Sequence, residues 1–146
     1  MPIKLQSPRK AATKKPQPTE LRVTLQYPPS ANRYWRSRAV CIRGKWVVQT
    51  YVSTEAKQYK AAVRSLVSLV CRAPFTDEVC IDVKLFRPRK SGDIDNRIKV
   101  LFDAFNGVVY DDDKLIKKCQ VERFEDKDNP RAEVIITRYF AAEKNN

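Results

Sequence analysis

Residues 79–86 place Val79, Ile81, Val83 and Leu85 at every second position. Period two puts those four side chains on one face of a strand, with Cys80, Asp82 and Lys84 on the other. A strand with one apolar face belongs in a sheet covered on one side, which restricts the chain to a layered architecture. Leu21, Val23 and Leu25 repeat the pattern, and Pro28-Pro29 stops that strand.

Two segments of helical period supply the covering layer. Ser53 suits an N-cap and Glu55 the first turn. Ala56, Tyr59, Val63, Leu66, Val67 and Val70 then recur at three- and four-residue steps until Ala73-Pro74. A second helix is expected over residues 93–106, closed by Asn106-Gly107, with Ile94, Ile98, Leu101 and Phe105 as its core stripe. Residues 39–42 and 46–51 flank Arg43-Gly44-Lys45 as in a hairpin, after an irregular polar and aromatic loop at 30–38. Residues 115–124 and 132–139 make the last strands. The order β, hairpin, α, β, α, β, β gives an α+β fold, a mixed sheet with two main helices packed on it.

The organisation follows from composition. Residues 1–19 hold five basic residues (Lys4, Arg9, Lys10, Lys14, Lys15), four prolines and no acid, which describes a disordered basic arm. One domain is expected over 20–141, with a disordered tail at 142–146. The chain carries +12; subtracting the arm's +5 leaves +7, so the domain is basic in its own right. Such an excess favours a polyanionic partner.

The 146 residues include no histidine. That excludes a Ser-His-Asp triad, a Cys-His nucleophile and His-ligated zinc or haem. Cys41, Cys71, Cys80 and Cys119 lie too far apart in sequence for a CxxC motif, and we expect reduced, mostly buried thiols in a cytoplasmic protein. No apolar run suits a leader or a membrane span, and no small-molecule cofactor is expected.

Carboxylates carry the remaining chemistry. Asp93 and Asp95 fall where a loop becomes a helix, a place where an i, i+2 pair converges and the helix dipole favours ionisation. Lys99 follows Asp95 by one turn, and Phe102 and Asn106 continue that face. Asp111-Asp112-Asp113 precedes the apolar strand. Five carboxylates on so basic a chain suggest a magnesium site, with the metal serving phosphodiester hydrolysis and Lys99 balancing transition-state charge. Each piece also has a plain structural reading: Asp93 as an N-cap, Asp95–Lys99 as a helix pair, the Asp run as a solvated turn. Arg33, Arg36 and Arg38, interleaved with Tyr34 and Trp35, suit phosphate clamping and base stacking. Arg87, Arg89 and Lys90 read as phosphate positioners.

At these residues the chain resembles the RusA family of Holliday junction resolvases, largely from prophages. Two motifs carry the resemblance. One is Tyr27-Pro28-Pro29-Ser30-Ala31-Asn32-Arg33-Tyr34-Trp35. The other is Asp93-Ile94-Asp95-Asn96, Lys99, Phe102-Asp103-Ala104, Asn106-Gly107 and a double Asp before an apolar strand. The likeness implies a RusA-like dimeric fold and a phage-encoded bacterial enzyme. It implies paired Mg²⁺-dependent nicks in a four-way junction, in recombination and repair, with Mn²⁺ as a substitute metal. Asp93, Asp95 and Lys99 match the family's motif residues, Phe102 an aromatic acting at the crossover, and Asn32, Arg33, Tyr34 and Arg36 fall in or beside the early DNA-facing segment. Read without a gap from Asn106-Gly107, the double Asp falls on Asp112-Asp113, with Ile116, Cys119 and Val121 facing inward. A shift of one residue places it on Asp111-Asp112. We take Asp93, Asp95 and Asp113 as metal ligands and Asp112 as the neighbour of Asp113. The competing functions are a branched-DNA binder that does not cut and a nuclease acting on flaps or forks.

Overall fold

A computed structural model describes residues 16–140. Strand β1 (Glu20–Gln26) is followed by a short helix α1 (Ala31–Tyr34), the hairpin strands β2 (Trp35–Ile42) and β3 (Lys45–Val52), helix α2 (Thr54–Val70), strand β4 (Val79–Arg87), helix α3 (Ile94–Phe105), a 3₁₀ turn (Asp113–Leu115), and strands β5 (Ile116–Glu125) and β6 (Arg131–Arg138). The expected order holds, as does the mixed sheet under two main helices. The arm's first fifteen residues, the last residue of the expected domain (141) and the expected tail at 142–146 lie outside the described residues. At the arm's end Gln17 is tied down: its side chain accepts from the Thr76 backbone N–H at 3.1 Å and donates to Asp77 at 2.8 Å.

The main sheet runs β1-β6-β4-β5. β4 is antiparallel to β6 and parallel to β5. A parallel neighbour requires a crossover, and α3 is that crossover. Its first turn therefore lies beyond the carboxyl end of β4, where open α/β units commonly bind ligands.

The alternation works as expected. Leu21, Val23 and Leu25, then Val79, Ile81, Val83 and Leu85, with Ala132, Val134 and Ile136, form the sheet side of the core. Val100, Leu101, Ala104 and Phe105 of α3 press onto them and are fully or almost fully buried. Each large apolar side chain so buried contributes roughly 1.5–3 kcal/mol of transfer free energy, so α3 is firmly seated. Ile94 and Ile98, expected in that stripe, are half-buried, because the helix start overhangs the sheet's end. On α2 the buried set is Ala56, Tyr59, Val63 and Val67. Leu66 and Val70 are exposed, since the six apolar residues span a wider arc than the sheet covers.

Two further expectations change. Residues 30–38 are not an irregular loop. Ser30 caps α1 by accepting from the Asn32 backbone N–H at 3.3 Å, and residues 35–38 pair with 49–52 in a longer hairpin. Its turn places Arg43 at φ 51° and Gly44 at φ 78°, the left-handed pair that matches hairpin twist. The four cysteines are free, as expected, but only Cys71 is buried; Cys41 and Cys119 are exposed. Cys119 sits on the edge strand β5, beyond the cover of the helices.

Candidate active site

The backbone of α3 begins after Asp93, which is extended at φ −86° and ψ 143°. Asp93 holds the N-cap position but its side chain makes no capping hydrogen bond. The capping role therefore does not occupy this carboxylate. Asp95 lies in the first turn, and both side chains are exposed at the positive end of the helix dipole. Lys99, one turn on, is exposed as well.

The loop before α3 and the helix start are each braced by an arginine. Arg123 Nη1 donates to the Gly92 carbonyl at 3.0 Å. Arg97 Nη1 donates to the Pro28 carbonyl at 2.7 Å and lays its guanidinium 5.0 Å from the centre of the Tyr27 ring. Arg97 thus ties the end of the β1 segment to the helix that carries Asp93 and Asp95. Arg89 and Lys90 are exposed beside them. Arg87 is committed elsewhere: its Nη2 meets Glu125 Oε1 at 2.7 Å, and the pair holds Glu125 below the usual carboxylate range. As a phosphate contact Arg87 would first have to leave Glu125.

The aspartate run is held against the other end of α3. Gly107, at φ 79°, turns the chain, and its N–H donates to the Tyr110 carbonyl at 2.7 Å. Tyr110 is fully buried, edge-on to Phe105, and its hydroxyl donates to the Phe102 carbonyl at 3.1 Å. Burial, then the charges of Asp113 and Asp103, push its hydroxyl well above the usual tyrosine range. Asp112 caps the 3₁₀ turn by accepting from the Lys114 N–H at 2.9 Å. That bond, with a second to Asp113, holds Asp112 below its ordinary range. Asp113 is pushed the other way, by the hydrogen bond with Asp112, slight burial, and the charges of Asp112 and Asp103.

The expected residues thus fall into two groups. Asp93 and Asp95 share the start of α3. Asp113 gathers with Asp112 and with Asp103, eight residues beyond Asp95 and about 12 Å further along the helix axis. Among the described residues no three His, Cys, Asp or Glu side chains converge closely enough to hold one ion. Phe102 is half-buried between the groups. Asn32 is exposed on α1, Arg36 is exposed on β2, and the Arg33 and Tyr34 side chains lie outside the described set.

The donor chemistry fits Mg²⁺ even so. That ion takes hard oxygen ligands and is commonly held by only one or two carboxylates, the rest being water and substrate phosphate. Asp93 and Asp95 supply such a pair, one of them released from capping.

Sequence reasoning passed over Arg97 and Tyr110, and named Asp103 in a motif without giving it a role. Asp103 was readable, since it follows Asp95 and Lys99 at the same four-residue step. Arg97 and Tyr110 act through backbone carbonyls, which leave no pattern in the sequence.

An α+β chain with exposed carboxylates at a helix start, set among arginines and lysines, is compatible with an endodeoxyribonuclease. The chain belongs to the RusA endodeoxyribonuclease family, whose model (Endodeoxyribonuclease RusA) matches residues 26–137. It is also 25% identical over 112 residues to the uncharacterized protein YqaN of Bacillus subtilis (strain 168), a match covering 74% of this chain and 75% of that one. No helix among the described residues is long and apolar enough to cross a membrane.

Proposed function

We propose that this protein resolves four-way DNA junctions by Mg²⁺-dependent paired nicks, in recombination and repair. The observation that carries the reading is Asp93, an N-cap residue whose carboxylate caps nothing, two residues from Asp95 in the family's D-x-D-N-x-x-K pattern. Asp93 and Asp95 would hold the ion; Asp113, grouped with Asp112 and Asp103 further along α3, would add carboxylate charge nearby without ligating that ion. Bound there, Mg²⁺ supplies a Lewis acid for a phosphoryl oxygen. Lys99 balances the negative charge that grows on the phosphate as the bond breaks. Arg89 and Lys90 draw in and orient the backbone. A purely binding protein gains nothing by turning carboxylates toward phosphate, and this disfavours the binder that does not cut.

Two cuts call for two sites, so the active form is a C₂ homodimer. The hairpin supports this. One face carries Trp35, Ser37, Ala39, Cys41, Trp46, Val48, Thr50 and Val52, without a charge. The other carries Arg36, Arg38 and Lys45, with Arg38 over the Tyr51 ring at 5.2 Å. Copies of a chain at +12 repel, so they associate best through an uncharged surface, while the basic face suits DNA.

The test is nicking of end-labelled four-way junctions and linear duplex, with Mg²⁺ or with EDTA. Paired nicks at symmetric positions of the junction alone, abolished by EDTA, are expected. Junction binding with no Mg²⁺-dependent nick would overturn the reading.

A further inference from the structure

Beside the start of α3 lies a cavity of about 230 Å³, bordered by Tyr27, Pro88, Arg89, Ser91 and Arg97. Cavities that enclose drug-sized ligands run to roughly 300–1,000 Å³, so this one suits a single flat ring system. Its lining combines residues with rings, Tyr27 and Pro88, and residues with polar ends, Arg89, Ser91 and Arg97. A nucleobase has the same division, an apolar face and a polar edge.

The cavity is formed in advance. Arg97 is fixed by the Pro28 carbonyl and the Tyr27 ring, and the loop bends back through the Ser91 N–H to the Arg89 carbonyl at 2.9 Å. Gly92 follows at φ 90°, and the Arg123 bond to its carbonyl keeps the loop in place. Only that glycine separates Ser91 from Asp93.

We propose that this cavity receives one unstacked base of the cut strand, next to the scissile phosphate that a metal ion at Asp93 and Asp95 would face. The inference rests on the nuclease reading above. Extruding a base costs least where stacking is already broken, as at a junction's centre, so the pocket would couple cutting to branched DNA. A predominantly apolar lining favours a base over a bare phosphate.

The test places 2-aminopurine at each nucleotide flanking the mapped nick and reads its fluorescence on binding in EDTA. A several-fold rise is expected at one nucleotide only. Ser91→Phe, at an exposed position, fills the cavity and should abolish that rise and slow nicking. Pro88→Ala removes one wall and should diminish the rise. Ser68→Phe, near the far end of α2, should leave it intact. Melting curves of each variant show that the fold is retained. If the junction is bound and cut but no flanking base unstacks, or if Ser91→Phe keeps the full rise, the pocket assignment is wrong and the nuclease reading stands. Failure of the parent protein to cut any branched DNA overturns both.

Discussion

The hydroxyl of Tyr110 donates to the backbone carbonyl of Phe102 at 3.1 Å, joining the aspartate turn to the helix that carries the other catalytic candidates. The ring is fully buried, so the bond is shielded from water. Tyr110→Phe keeps the packing and removes the bond. Urea denaturation should show a loss of about 1 kcal/mol. Nicking should fall more than junction binding, because the turn of residues 111–113 loosens.

The run Asp111-Asp112-Asp113 separates into different roles. Asp112 is occupied in capping the 3₁₀ turn, and Asp113 is the carboxylate crowded by like charge. Because Asp113 stands with Asp112 and Asp103 and not beside Asp93 and Asp95, Asp113→Asn should lower the nicking rate less than Asp95→Asn does. Asp111→Asn should have little effect. Asp112→Asn, whose amide oxygen can still cap, should retain most activity. Loss of nicking in Asp112→Asn with retention in Asp113→Asn would shift the assignment by one residue.

The hairpin's uncharged face should hold two copies together. Trp46 and Val48 are about three-quarters exposed, at 76% and 75%. Trp46→Ser combined with Val48→Ser should convert a dimer into a folded monomer, read by sedimentation equilibrium and circular dichroism. An unchanged mass would place the interface elsewhere. Arg36→Ala and Arg38→Ala should each flatten the salt dependence of junction binding by about one unit of log–log slope.

Acid should weaken the fold partly through Asp126. Its bond to the Arg131 side chain at 2.8 Å, aided by the Asn129 N–H, holds this carboxylate below its ordinary range. A depressed carboxylate stabilises the fold above its unfolded value, near pH 4, and that contribution disappears as pH falls through the lower folded value. Asp126→Asn should therefore be less stable than the parent at pH 7, with the gap closing in strong acid. Melting temperatures of both proteins across pH 2–7 check this.

Much of this was legible because it follows from periodicity. Val79 to Leu85 fixed a one-sided strand, and the α3 stripe gave a helix whose start carried two aspartates. Alternation fails as a guide on a ribbon exposed on both faces, so Trp35 to Arg38 read as loop although they pair with residues 49–52. Apolar spacing also overstates burial: Leu66 and Val70 follow the helical repeat but lie beyond the sheet. The motif brought Asp93, Asp95 and Asp113 together on paper. In the fold, Asp113 stands with Asp112 and Asp103, because the crossover helix separates the two ends of that motif. Arg87 looked free in sequence, yet its register partner on β5 is Glu125.

The central claim is that carboxylates at the start of α3 serve cutting and not binding. Asp95→Asn tests it with two readings on one four-way junction in Mg²⁺, affinity and nicking rate. Affinity should match or exceed that of the parent, since a negative charge near phosphate is removed, while nicking should fall by about a hundredfold or more. Parental nicking by Asp95→Asn, or a loss of junction binding by a variant that remains folded, would contradict the account.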